Sequence, residues 1–85
     1  MNKQLIYSYI SKLTKEDIIK FINNQNFSIE ENEIDLIYNY IKTNPETIIN
    51  NKELVLNDAK KLLKPDTYNN LTTIYNKYIN IINLL

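Results

Sequence analysis

The sequence of 85 residues contains no glycine, cysteine, histidine, tryptophan or arginine. Without cysteine the chain forms no disulfide, and without histidine it lacks the residue used most often in general acid–base catalysis. Without glycine it lacks the standard forms of the loops that bind phosphate groups and dinucleotides. We therefore expect a protein that is not an enzyme, uses no cofactor and has no small-molecule substrate.

The missing glycine also affects the turns. Asparagine is the residue that best replaces glycine where the backbone needs a positive φ angle. The asparagine pairs at 23–24, 50–51 and 69–70 are the candidates for such positions.

Long apolar runs are absent as well. No window approaches the ~18 consecutive apolar residues that indicate a membrane-spanning helix. The first residues, MNKQLIYSYISKLTKEDI, contain no apolar region of the length found in signal peptides. We expect a cytoplasmic protein that does not bind a membrane.

The net charge is zero, but its distribution is uneven. Residues 1–20 carry four lysines and two acids, a net charge of +2. Residues 21–59 carry two lysines and seven acids, which gives −5, and residues 60–85 carry four lysines and one acid, which gives +3. An acidic middle between basic ends fits internal charge complementarity and gives only weak support to a polyanionic partner.

Apolar residues recur every three or four positions along most of the chain, which is typical of amphipathic helices, and no stretch alternates as a strand does. Thr14 is a predicted N-cap with Asp17 at the third helical position. Pro45 and Pro65 should each follow the end of a helix, because a proline disfavours helical geometry in the residue before it. The sequence predicts an all-α fold, a compact bundle of about five short helices that forms a single small domain over residues 1–85.

Smaller features refine this prediction. Residues 18, 19, 21 and 22 should supply the buried face of the second helix, and Ile48 and Ile49 should form a short turn or an apolar anchor. The last helix should begin at Asp66 or Thr67. Residues two apart on a helix face different ways, so we expect Tyr9 and Tyr38 inside, with Tyr7 and Tyr40 nearer the surface.

The segment SIEENEID, residues 28–35, concentrates four acidic side chains. One interpretation is a metal site, but calcium loops need a glycine and alternating ligands, and zinc prefers histidine and cysteine. The other interpretation is a helix start, in which Ser28 and Glu31 form a capping box and the acids complement the helix dipole. We expect a helix start and no metal.

The last predicted helix has an apolar face wider than the ~100° of an ordinary surface helix. Two overlapping series, 71-74-78-81-85 and 71-75-78-82-85, step by three and four residues. Either this helix is buried on two sides, or part of the face contacts another chain. The residues of the possible interface are Leu71, Tyr75, Tyr78, Ile82 and Leu85.

Lysines gather near the end of the fourth predicted helix, at Lys60, Lys61 and Lys64. Lysine neutralises phosphate groups, so these three residues are a possible contact for a polyanion. Two observations argue against a nucleic-acid partner. The net charge is zero, and arginine, the residue that recognises guanine best, is absent. Lysine near a helix C-terminus is favourable for the helix dipole alone.

The run from Leu13-Thr14 through the Ile37 and Ile41 stripe to Pro65-Asp66-Thr67 resembles a family of short helical proteins of low-GC Gram-positive bacteria, a domain of unknown function. The resemblance covers most of the chain after residue 12 and rests on structural motifs. It implies a small helical cytoplasmic protein and brings no functional residues.

Three hypotheses about function follow. The first is a protein-interaction domain that binds a partner protein, or a second copy of itself, through the last helix. The second is a nucleic-acid-binding module that uses the lysines at 60, 61 and 64. The third is a small inhibitor protein from a mobile element.

Overall fold

The computed structural model describes residues 3–84, and the side chains of residues 3–80. The described chain forms six α-helices and no strand, which confirms the all-α prediction. The helices are α1 (Lys3–Lys12), α2 (Lys15–Asn24), α3 (Glu31–Thr43), α4 (Pro45–Asn50), α5 (Lys52–Leu62) and α6 (Pro65–Leu84).

The N-cap predicted at Thr14 is confirmed, and it forms a full capping box with Asp17. The backbone N–H of Asp17 donates to Thr14 Oγ1 at 3.1 Å, and the backbone N–H of Thr14 donates to Asp17 Oδ2 at 3.0 Å. Two N–H groups that the helix leaves unpaired are thereby satisfied. The hydrogen bonds with Thr14, and to a smaller extent the charge of Lys20, lower the pKa of the Asp17 carboxyl.

Both prolines lie where a helix changes, as predicted. Pro45 and Pro65 take the first positions of α4 and α6, where a proline costs no hydrogen bond because the first N–H groups of a helix are unpaired in any case. The helix α6 therefore begins one residue before Asp66. Ile48 and Ile49 lie in the short helix α4 rather than in a turn, and this raises the number of helices from about five to six.

The capping box predicted at Ser28 is wrong. Helix α3 begins at Glu31, its N-cap is Glu30, and within the described chain this N-cap makes no side-chain capping bond. The backbone before it stays outside the helix because Phe27 and Ile29 pack against the core formed by α2 and α3. The acids at 31 and 33 do lie in the first turn of α3, as the helix-start interpretation predicted.

The turn between α2 and α3 contains the positive φ angle of the described backbone. Asn26 has a φ of 63°, whereas the expected asparagine pairs lie elsewhere. The pair at 23–24 ends α2, the pair at 69–70 lies inside α6, and Asn51 caps α5 with its side chain at a φ of −135°. The run at 23–26, three asparagines and one glutamine, does not by itself reveal which residue takes the left-handed conformation.

The core is built mainly from isoleucine. Ile18 and Ile22 of α2 pack against Ile34 of α3. Partly buried apolar side chains from positions 13 to 41 surround these three. Other buried apolar residues extend this core through α1, α4, α5 and α6: Ile10, Ile49, Val55 and Ile79.

Several helices bury a different face from the one that the sequence predicted. Tyr9 is 66% exposed and Tyr7 is half-buried, the reverse of the prediction. The series Leu5–Tyr9 and Ile6–Ile10 have the same spacing, and packing against α3 and α4 buries the second of them. On α2 the predicted Ile18 and Ile22 are buried, whereas the two other predicted residues are exposed, at positions 19 and 21. Tyr38 and Tyr40 are both half-buried.

The helices form one connected bundle. Helix α3 packs against α1, α2 and α4, helix α4 packs against α5, and α5 packs against α6. An apolar space remains between α3, α5 and α6, and α2 and α4 each contribute one residue to its lining. Among residues 3–84 no helix is long and apolar enough to cross a membrane.

Candidate interaction site

An apolar pocket of about 270 Å³ fills the space between α6 and its neighbours. Helices α3, α5 and α6 supply most of its wall, and Phe21 of α2 and Ile48 of α4 complete it. Among the described residues that line the pocket, none is charged and all except Thr72 are aliphatic or aromatic. Such a wall offers apolar contact and very little hydrogen bonding.

Four lining residues remain exposed and mark where the pocket meets solvent. We call them the apolar rim: Phe21, Leu36, Leu62 and Tyr78, which are 37%, 38%, 45% and 41% exposed. The rings of Phe21 and Tyr78 meet edge to face, with centroids 5.5 Å apart, and so connect α2 with α6. Four large apolar side chains around one pocket therefore remain in contact with solvent.

The structure brings together three of the five residues predicted for the interface. Leu71, Tyr75 and Tyr78 all line the pocket; Tyr78 is exposed, and the other two are half-buried. The side chain of Ile82 and the whole of Leu85 lie outside the described residues.

Helix α6 contributes both to the core and to the exposed rim. It buries Ile79, which is only 4% exposed, in the core, and it also places Tyr78 on the rim. The sequence pattern did not single out Ile79, because both predicted series pass beside it. It also missed three rim residues on other helices, since spacing along one helix does not show which apolar residues a neighbouring helix leaves uncovered.

Two tyrosine hydroxyls at the pocket have protein partners. The hydroxyl of Tyr40 donates to Asp58 Oδ2 at 2.7 Å, and that of Tyr75 donates to the carbonyl of Ile48 at 2.7 Å. Burial, followed by the bond to Asp58, raises the pKa of Tyr40 to about 12. Burial also raises the pKa of Tyr75. Both tyrosines therefore stay neutral at physiological pH.

Two polar atoms of α6 are exceptions. Thr72 Oγ1 and Asn76 Oδ1 are buried and have no hydrogen-bond partner among the described residues. They lie one turn apart on the same side of the helix. An unpaired buried polar atom lowers the free energy of unfolding by roughly 1–3 kcal/mol. Helix α6 therefore contains two destabilising polar atoms.

The three lysines proposed for a polyanion are not equivalent. The ammonium of Lys64 forms an ion pair with Glu30 Oε1, and this contact raises the pKa of Lys64. Lys60 and Lys61 lie exposed in the last turn of α5. An anion at all three would have to compete with Glu30 for Lys64.

The acidic segment holds the polar residue that sequence reasoning missed. Glu33 is 3% exposed, and its carboxylate accepts bonds from the backbone N–H of Lys64 and from Thr67 Oγ1, each at 2.9 Å. Asp35, two residues on, pairs with Lys15. Within residues 3–84 no three acidic side chains converge on a point where a metal ion could bind. Glu33 instead accepts hydrogen bonds from two donors at the start of α6.

Comparisons with protein-family models, with curated proteins and with solved structures find no match to this chain. The resemblance to short helical proteins of low-GC Gram-positive bacteria therefore stays a prediction. The geometry of the pocket and rim is the basis for a functional proposal.

Proposed function

We propose that this protein is a non-enzymatic interaction domain that binds another protein, or a second copy of itself, through the apolar rim and α6. The observation that carries the proposal is the exposure of four large apolar side chains around a single pocket. Their exposure leaves apolar area in contact with water, and covering such area is the main favourable contribution to protein association. In this proposal the protein acts in the cytoplasm, as the sequence suggests.

The shape of the rim also supports the proposal. Its residues come from four helices, and the pocket behind them gives a partner side chain a recess to enter. Central aromatic or aliphatic residues that enter a pocket carry much of the binding energy in protein interfaces. Tyr78 is the rim residue of the type most enriched in interfaces.

The two other hypotheses have less support. The ion pair between Lys64 and Glu30 reduces the positive charge available to a nucleic acid, and no structural observation favours that partner over a protein. An inhibitor from a mobile element would also act by binding a protein, so it is a special case of the interaction proposed here.

The test compares two leucines of α5. Leu62 belongs to the rim and is 45% exposed, whereas Leu54 is 43% exposed and does not line the pocket. We expect Leu62→Lys to weaken association at least tenfold, because it places a charge where apolar contact is made. Leu54→Lys should leave association unchanged. Sedimentation velocity over a concentration series measures self-association, and a nuclease-treated pull-down from native lysate measures partner binding.

Two outcomes would contradict the proposal. The first is a wild-type protein that stays monomeric at high concentration and retains no specific protein from the lysate. The second is an association that Leu62→Lys and Leu54→Lys weaken equally. Enrichment that disappears on nuclease treatment would instead favour the nucleic-acid hypothesis and the lysines of α5.

A further inference from the structure

We propose that the apolar pocket is a binding site for a small, uncharged, apolar molecule, which the protein holds without turning it over. This inference goes beyond protein association, since the occupant of the pocket is a small molecule rather than a side chain of a partner protein. Three observations carry it: the volume of the pocket, the chemistry of its wall and its access to solvent.

The volume fits a small ligand. The pocket measures about 270 Å³, compared with the ~150 Å³ of an apolar protein cavity that binds benzene. It lies just below the ~300–1,000 Å³ range of sites for drug-sized ligands. A bicyclic aromatic compound or a medium-length aliphatic chain is therefore the appropriate size.

The chemistry of the wall selects against charge. No described lining residue is charged, and the hydroxyls of Tyr40 and Tyr75 are already bonded to Asp58 and to the carbonyl of Ile48. A carboxylate or ammonium placed there would lose its hydration and gain no partner, which is strongly unfavourable. The one lining residue with an unpaired buried polar atom is Thr72, so a single hydroxyl group is the most polarity that the site accommodates.

The pocket is accessible without unfolding. Its rim residues are exposed, and the contact between Phe21 and Tyr78 is a side-chain contact that rotamer changes open. Side chains at a protein surface change rotamer within nanoseconds, so a ligand has a route to the interior. A ligand that fills the space restores the van der Waals contacts that an empty apolar pocket lacks.

The experiment uses two probes with the same carbon chain, 1-octanol and octanoate, at pH 7 on the isolated chain of 85 residues. We expect 1-octanol to raise the melting temperature and to shift methyl resonances of the pocket saturably in NMR spectra, the methyl of Ala59 among them. Octanoate should bind at least tenfold more weakly, because its carboxylate has no partner in the wall. Detergent-like effects are controlled by working below the concentration at which octanoate forms micelles.

Variants locate the site. Ala59 lines the pocket, so Ala59→Leu fills part of the volume and should weaken 1-octanol binding at least tenfold. Leu54→Met, on the same helix and away from the pocket, should leave it unchanged. The comparison of the two probes on the wild-type protein needs no variant, so the proposal stays testable if Ala59→Leu does not fold.

The proposal is overturned if 1-octanol causes no saturable shift at pocket methyls, or if octanoate binds as tightly. It is also overturned if a folded Ala59→Leu binds 1-octanol as the wild type does. Since no partner protein is present in these measurements, their failure leaves the interaction proposal unaffected.

Discussion

Glu33 and Thr67 are the two buried polar or charged residues of the described chain, and they are bonded to each other. The carboxylate of Glu33 also accepts a bond from the backbone N–H of Lys64, which precedes the first residue of α6. A negative group at this position complements the positive end of the dipole of α6. One side chain of α3 thereby holds the start of a helix more than thirty positions away.

We expect Glu33→Ala to lower the free energy of unfolding by about 2–3 kcal/mol, because two donors lose an acceptor in a buried place. Urea denaturation at pH 7 measures this change. Glu31→Ala is the matched control, since Glu31 is an exposed acid in the same first turn of α3, and should cost at most about 1 kcal/mol. Equal losses for the two variants would refute a capping role for Glu33.

Neighbouring threonines of α6 allow a second comparison. Thr72 Oγ1 is buried and lacks a partner in the described part of the chain, whereas the hydroxyl of the exposed Thr73 donates to the carbonyl of Asn69 at 3.1 Å. We expect Thr72→Val to raise the free energy of unfolding by about 1 kcal/mol, because it removes an unpaired polar atom and keeps the shape of the side chain.

Thr73→Val controls for the change in helix propensity, which is nearly the same for the two substitutions. It should alter the free energy of unfolding by less than about 0.5 kcal/mol, the usual range for a surface substitution. Thermal or urea denaturation gives both values. A loss of stability in Thr72→Val, with Thr73→Val unchanged, would mean that the hydroxyl of Thr72 is satisfied.

At the scale of elements, the C-terminus of α1 depends on a lysine of α3. The ammonium of Lys42 donates to the carbonyls of Ile10 and Ser11 at 3.1 and 2.6 Å, and to that of Leu13 at 3.4 Å. The last carbonyls of a helix have no partner within it and carry partial negative charge. The Lys42 ammonium therefore provides a donor to carbonyl groups at the end of α1 and attaches this end to α3.

We expect Lys42→Met to lower the free energy of unfolding by about 1–2 kcal/mol, since methionine keeps the apolar stem and removes the donor. Amide hydrogen exchange should accelerate most in the last turn of α1. Lys12→Met is the control, because Lys12 is an exposed lysine in that same turn. Unchanged exchange in Lys42→Met would show that the ammonium contributes nothing to the attachment.

At the scale of the whole molecule, positive and negative charges largely cancel, whereas part of the apolar surface stays exposed to solvent. The net charge is zero, and ion pairs link Lys15 with Asp35 and Lys64 with Glu30. The rim, in contrast, leaves apolar side chains from four helices uncovered around one pocket. Association of this molecule should therefore depend on apolar contact rather than on long-range electrostatic attraction.

This balance leads to a prediction about salt. Raising the NaCl concentration from about 50 to about 500 mM should change the affinity for a protein partner, or for a second copy, by less than about threefold, whereas binding to a nucleic acid would weaken by orders of magnitude. Sedimentation velocity or a binding titration at both concentrations measures the effect. A steep loss of affinity with salt would contradict the apolar rim as the contact surface.

The sequence by itself determined the all-α class and several helix boundaries. Thr14 with Asp17, and the two prolines, act through bonds and steric limits within a few residues, so they are visible in a local pattern. Helical period brings Ile18 and Ile22 together on one face, but it did not separate this buried pair from the exposed residues at 19 and 21.

The tertiary structure decided what local patterns leave open. Two stripes of α1 have equal spacing, and only packing against α3 and α4 selected Ile6–Ile10 over Leu5–Tyr9. Glu33 became a partner of α6 through contacts across more than thirty positions, which no capping pattern encodes. The pocket exists because α3, α5 and α6 leave an unfilled apolar space between them, and the rim is formed by exposed residues of four helices around it. Such choices depend on the relative placement of whole helices, so they are decided only when the chain is folded.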